Sequence, residues 1–69
     1  MTYIRVRVEE TGGKTTSGWY TGIGLEVTEE RKKALCYLEP DLAVRTAIRL
    51  SQNFHPQVEK ITTWVEKKL

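Results

Sequence analysis

The chain has 69 residues, of which 39% are hydrophobic and 29% are charged. This composition is typical of one folded domain over 1–69 and excludes a disordered chain. A single cysteine excludes an intramolecular disulfide framework, and one cysteine with one histidine makes a structural zinc site implausible. We therefore expect neither a metal nor a cofactor. The net charge of +2 is small and is spread along the chain, which gives weak support for a polyanionic partner.

Two runs of alternating residues at the N-terminus predict an antiparallel β-hairpin. Residues 2–9 alternate between apolar and polar side chains, and an exposed loop is expected over 10–18, where glycine, serine and threonine are frequent. A second strand is predicted over 19–27, with Tyr20 outward and Gly22 and Gly24 beside it. The residues predicted to face inward are Ile4, Val6, Val8, Trp19, Ile23, Leu25 and Val27.

Residues 41–54 form the clearest predicted element, an amphipathic helix. Pro40 and Asp41 favour a helix start, and Asn53 and Pro56 mark its end. The apolar stripe includes Ala43, Ala47, Leu50 and Phe54. A helix of this length is marginal alone in water, so its apolar face is expected to pack against the hairpin.

Two further segments leave the topology open. Residues 28–39 favour a short helix, but the apolar run over 33–39 also fits a buried strand. The C-terminal residues fit a helix opened by Pro56, and the alternative is a strand over 58–67. The predicted class is α+β: a hairpin packed on a central helix with further short helices. The alternative is a βββαβ fold, with a four-stranded sheet and one helix.

Two surfaces are candidates for binding a partner. The outward face of the hairpin is expected to bring Tyr3, Arg5, Arg7 and Tyr20 together, and arginine beside tyrosine can contact phosphates and stack on bases. The C-terminal segment adds Trp64, a residue type enriched at interfaces. A secondary basic surface consists of Arg45 and Arg49, one turn apart on the exposed side of the central helix.

The sequence gives little support for catalysis. A Gly-Lys-Thr sequence at 13–15 matches only part of a phosphate-binding loop and leads into a predicted strand rather than a helix. Cys36 and His55 are nineteen positions apart, and no third group is evident that would orient them as a nucleophile and base. We therefore expect a protein that is not an enzyme.

These observations favour a small intracellular module that binds another protein, as a regulator, an inhibitor or an accessory subunit. Self-association as a homodimer is expected, because a domain of this size builds only a small core. The alternative function is nucleic-acid binding by the Tyr/Arg face of the hairpin. A cytoplasmic location without membrane association is expected, because no apolar run is long enough to span a bilayer.

Overall fold

A computed structural model of the chain describes residues 1–53 and 55–68. Four antiparallel strands form one sheet in the order β3-β2-β1-β4, and one α-helix covers one face of it. The elements are β1 (Thr2–Glu10), β2 (Thr15–Tyr20), β3 (Val27–Thr28), a 3₁₀ helix (Arg31–Lys33), α1 (Pro40–Gln52) and β4 (Val58–Lys67). The α+β class is confirmed, and the alternative topology, a four-stranded sheet with one α-helix, describes these residues.

The first hairpin has a tighter turn than the sequence predicts. Gly12 and Gly13 have φ angles of 101° and 94°, a region that favours glycine, and the amide of Glu10 donates to the carbonyl of Lys14 at 2.8 Å. The second strand therefore begins at Thr15. The predicted loop over 10–18 is too long, because threonine and serine are polar yet compatible with a strand.

The predicted strand over 19–27 is interrupted. β2 ends at Tyr20, and a turn follows in which Gly22 and Gly24 have φ angles of 96° and 49°. β3 then pairs back onto β2 through only two residues. The turn separates the alternation of β2 from that of the later residues, so the assumption that Trp19 shares a face with Leu25 and Val27 is wrong.

The segment before α1 is neither of the two predicted elements. Its helical part is a single 3₁₀ turn, and the rest is mainly irregular. Tyr37 forms an isolated bridge with Thr2, exchanging amide-to-carbonyl hydrogen bonds of 2.7 and 3.1 Å. This bridge extends the sheet edge beside β1 and leads the chain towards the helix.

The central helix is confirmed. Pro40 occupies its first turn, where a missing amide proton costs nothing, and Asp41 lies near its positive end. Ala43, Ala47 and Leu50 are its buried residues. Phe54, which the sequence places on the same stripe, lies outside the described residues.

The preferred helix prediction for the C-terminal segment is wrong, because 58–67 is a strand that pairs with β1 along its length. Ile61 and Val65 fit helical spacing, but together with Thr63 they also fit a strand alternation, and β-branched residues pack well in a sheet. Leu69 lies outside the described residues.

The hydrophobic core lies between α1 and the sheet. Ile4 and Val6 are completely buried, and small alanines on α1 allow the helix to approach β1 and β4 closely. Among the residues predicted to face inward, Ile23 is exposed in the turn after β2. The buried members of the core are Ile4, Val6, Val8, Ala43, Ala47, Leu50 and Ile61.

Candidate functional site

The sheet has a second face, on the side opposite α1. Because side chains alternate along a strand, the odd-numbered residues of β1 point away from the helix-covered core. The strand register places Arg5 between Trp19 of β2 and Trp64 of β4, in one row across three strands. We call this surface the open face. Its central residues are Tyr3, Arg5, Arg7, Trp19 and Trp64.

Trp19 is the centre of a small cluster on the open face. The guanidinium carbon of Arg5 lies 4.9 Å from its ring centroid, and Lys68 Nζ lies 5.9 Å from it. The Tyr3 ring meets it edge to face, with centroids 5.9 Å apart. These side chains leave only 8% of Trp19 exposed. The cations are close enough for cation–π attraction, and their aliphatic parts cover the ring.

Other groups on the open face are accessible to a ligand. Trp64 is 45% exposed, and Arg7 is exposed two positions along β1 from Arg5. Arg31 extends over the Tyr3 ring, with its guanidinium carbon 5.9 Å from the centroid. The face therefore combines one accessible indole with several cationic side chains.

Charge is distributed unevenly between the open face and the rest of the molecule. The side chains of β1 and β4 on the open face, together with Lys68, comprise four cations and two carboxylates, a net charge of +2. Since the whole chain carries +2, the remaining residues, which include Arg31 and the adjoining Glu30, have a net charge of zero. The cations are Arg5, Arg7, Lys60 and Lys68, and the carboxylates are Glu9 and Glu66. Lys68 Nζ lies 3.5 Å from a carboxylate oxygen of Glu66.

The structure brings together most of the predicted partner-binding residues. Tyr3, Arg5, Arg7 and Trp64 share the open face, and Trp64 reaches it because its segment is a strand. Tyr20 does not belong to this group, since it packs against the core on the other side of the sheet. Trp19 takes the place expected for Tyr20.

Sequence reasoning also missed cations supplied from outside the hairpin. Lys60 and Lys68 reach the open face through β4, and Arg31 reaches it from the 3₁₀ helix. Lys60 would have followed from the correct strand assignment of 58–67. The position of Arg31 depends on the tertiary path of an irregular segment, for which the local sequence has no signal.

Arg45 and Arg49 form a separate basic surface. Both are exposed on α1, which covers the opposite side of the sheet from the open face. Asp41 lies one turn before Arg45 on the same helix. These two arginines are therefore matched in charge to Arg5 and Arg7 but distant from the aromatic cluster.

Cys36 and His55 lie near opposite ends of the sheet. Tyr37, next to Cys36, pairs with Thr2, whereas Val58, close to His55, pairs with Glu10. The eight residue steps between Thr2 and Glu10 span about 27 Å of strand. Over the described residues there is no group of three or more His, Cys, Asp or Glu side chains arranged to hold a metal ion.

The chain was compared with known proteins by family, sequence and structure. No protein-family model matches it, and neither the curated proteins nor the solved structures contain a significant match. Within residues 1–53 and 55–68, no helix is both long and apolar enough to cross a membrane. A functional assignment therefore depends on the chemistry of the surfaces of the molecule itself.

Proposed function

We propose that the protein binds single-stranded nucleic acid through the open face, without catalysing a reaction. The observation that carries this proposal is the concentration of net positive charge on the one face that also exposes an indole. Cations in a groove or on a sheet attract the phosphate backbone, and aromatic rings stack on unpaired bases. A cytoplasmic location remains part of the proposal, because single-stranded RNA is present there.

Each group has a distinct role in the proposed complex. Trp64 offers a partly exposed ring for one base, and Arg7 and Lys60 are exposed cations that can contact phosphates. Arg5 is held against Trp19 and orients the centre of the face. A single strand suits this face better than a duplex, because stacking on Trp64 requires a base that is free of its own stack.

The proposal is tested by titrating the protein with an oligothymidylate at several salt concentrations and following tryptophan fluorescence. Arg7→Ala and Lys60→Ala are each expected to reduce the salt slope of log K by about 0.7, the value for one lost phosphate contact on a single strand. Arg45→Ala and Arg49→Ala are matched controls, because they remove the same charge from the opposite side. They are expected to leave the slope nearly unchanged.

Stacking is tested separately from charge. Trp64→Ala is expected to weaken oligothymidylate binding by about 5-fold to 150-fold, the cost of one stacked base, and Trp64→Phe is expected to retain much of the affinity. Leu38→Ala, at another exposed apolar residue, is the control. Inorganic polyphosphate, which has no bases, should bind the Trp64→Ala variant as well as the unmodified protein.

Three results would contradict the proposal. The first is an absence of oligothymidylate binding at low salt, where electrostatic binding is strongest. The second is an equal loss of salt dependence in the Arg45→Ala and Arg7→Ala variants, because binding would then not be specific to the open face. The third is tighter binding to a duplex of equal length than to the single strand.

We also propose association with protein as a second function. It is favoured by exposed apolar side chains on α1, including Val44 and Ile48, beside a long sheet edge. The row of unpaired backbone groups along this edge favours a second copy of the same chain as the partner.

A further inference from the structure

The outer edge of β4 is a long row of backbone hydrogen-bonding groups. β4 is the last strand in the sheet order, and in the described part of the chain no strand pairs with its outer side. The amide of Lys68 donates to Met1 of the β1 side at 2.9 Å. By the alternation of an antiparallel ladder, the amides and carbonyls of Ile61, Thr63, Val65 and Lys67 point outward. Such an edge is a template for another strand.

The sequence of β4 is complementary to itself when it is paired antiparallel about Thr63. In this register both acidic residues of β4 face basic ones, and Ile61 faces Val65. The facing pairs are Glu59 with Lys67, Lys60 with Glu66, Ile61 with Val65, Thr62 with Trp64, and Thr63 with its own copy. Opposite charges and apolar pairs directly across a ladder are stabilising, whereas like charges are destabilising.

We infer that the protein forms a two-fold homodimer by pairing β4 with β4 of a second copy, centred on Thr63. The outward-pointing Ile61, Thr63 and Val65 then exchange backbone hydrogen bonds across the axis. At about 3.4 Å per residue, the paired positions 59–67 of β4 span about 31 Å of this edge.

The helix supplies an apolar surface next to the same edge. Val44 and Ile48 are 44% and 51% exposed, and helical periodicity places them on the same flank of α1 as Ser51. Ser51 lines a cleft together with Glu59 and Lys60 of β4. Thr63 Oγ1 of β4 also donates to the carbonyl of Ala47, so the flank bearing Val44 and Ile48 lies on the β4 side of the helix.

The helices of the two copies would be neighbours in this dimer. α1 packs against both β4 and β1, and more extensively against β4. Paired strands are about 4.8 Å apart, so pairing β4 with its copy brings the two α1 helices next to each other on one side of the joined sheet. Val44 and Ile48 of the two copies would then lie between the helices.

The dimer would join two four-stranded sheets into one of eight strands. Both open faces would lie on the same side of this sheet, with the two Trp64 side chains near its middle, adjacent to Thr62 of the other copy. The dimer forms through the β4 edge and the flank of α1, so it does not require nucleic-acid binding. Its test is the oligomeric state alone.

The test is sedimentation-velocity centrifugation of the full chain over a wide concentration range, without added ligand. The unmodified protein is expected to dimerise. Ile48→Asp is expected to shift the midpoint of the monomer–dimer transition to a protein concentration at least about tenfold higher. Leu42→Asp is the matched control, because Leu42 is 47% exposed on the opposite flank of the same helix. It is expected to leave the midpoint unchanged. Circular dichroism of each variant checks that it is folded.

The register is tested by charge reversal. Glu59→Lys and Lys67→Glu each place two like-charged pairs in the proposed homodimer, and each is expected to weaken it about tenfold. When the two variants are mixed, position 59 of one chain again faces an opposite charge at position 67 of the other. The mixture is therefore expected to dimerise like the unmodified protein.

Three outcomes would overturn the inference. The first is a chain that remains monomeric at every concentration. The second is a dimer that is weakened more by Leu42→Asp than by Ile48→Asp. The third is a mixture of the charge-reversed variants that is no more dimeric than either variant alone, because the Thr63-centred register predicts that mixing restores the pairs of opposite charge.

Discussion

The two faces of the sheet each bury a large side chain, but they do so by different means. On the core face, Ile4 and Val6 are completely buried by an α-helix that presents alanines and a leucine. On the open face, Trp19 is nearly as buried, but its cover is Arg5 and Lys68, two long cationic side chains. One layer is a secondary structure element and the other is a set of separate side chains.

This difference separates stability from binding. The covering helix can leave the core only by unfolding, whereas a cationic side chain can change rotamer and expose the ring beneath it. The core face therefore fixes the fold, and the open face is free to exchange its cover for a ligand. Substitutions on the core face should therefore lower the free energy of unfolding more than substitutions on the open face.

The largest effect is expected on the core face. Ile4→Ala removes a completely buried branched side chain and is expected to lower the free energy of unfolding by about 3 kcal/mol. Because a domain of this size has only about 3–5 kcal/mol in total, the variant should retain at most about 2 kcal/mol and be partly unfolded at room temperature. Urea denaturation followed by circular dichroism measures the change.

Ile4→Val provides a graded comparison at the same position. It removes one methyl group and is expected to cost about 1 kcal/mol while keeping a cooperative transition. Both variants should be compared at one protein concentration, since dimerisation changes apparent stability. A fully cooperative Ile4→Ala variant with unchanged stability would contradict the assignment of Ile4 to the centre of the core.

A smaller loss is expected on the open face. Trp19→Ala is expected to cost about 2 kcal/mol, below the 3–5 kcal/mol usual for a tryptophan in a closed core, because mobile side chains form its cover. Trp64→Ala, in the same row but 45% exposed, should cost less than about 1 kcal/mol. Urea denaturation of both variants compares the two indoles. Equal losses in the free energy of unfolding for Trp19→Ala and Trp64→Ala would mean that Arg5 and Lys68 do not shield Trp19.

The two faces differ in how well they could be predicted from the sequence. Ile4, Val6 and Val8 alternate without interruption, and Ala43, Ala47 and Leu50 recur at helical spacing, so the core positions of these six residues were predicted correctly. The orientation of Trp19 was not, because Gly22 and Gly24 turn the chain between β2 and β3 and reset the alternation. The alternation within one strand does not predict which face of the sheet is occupied by the residues that follow such a turn.

The C-terminal segment shows a second limit. Val58, Ile61 and Val65 are compatible with either a helix or a strand, and pairing with β1 decides between them. That pairing is non-local, so it has no signature within the segment itself. It also determines the candidate site, since it brings Trp64 and Lys60 beside Arg5 and Arg7.

A close backbone approach at the β3 side of the sheet gives the next prediction. Gly18 is buried, and a Cβ at this position would lie 2.8 Å from the carbonyl oxygen of Thr28. Gly18→Ala is therefore expected to displace β3 and to cost about 1.5 kcal/mol. Ser17→Ala, on the exposed neighbour, is the control and should change the free energy by less than about 0.5 kcal/mol. Urea denaturation measures both, and equal effects would contradict the close contact.

The smallest effect compares two adjacent threonines that face opposite sides of β4. Thr63 Oγ1 donates to the carbonyl of Ala47 at 3.0 Å, which ties the strand to α1, whereas Thr62 points to the open face. Thr63→Val keeps the shape of the side chain and removes this hydrogen bond, so we expect a loss of about 1 kcal/mol. Thr62→Val should change the free energy of unfolding by less than about 0.5 kcal/mol. Both are measured by urea denaturation at a concentration where the protein is monomeric, so that an altered dimer does not contribute. If Thr62→Val costs as much as Thr63→Val, the hydroxyl of Thr63 does not couple the helix to the sheet, and the core face is held by apolar packing alone.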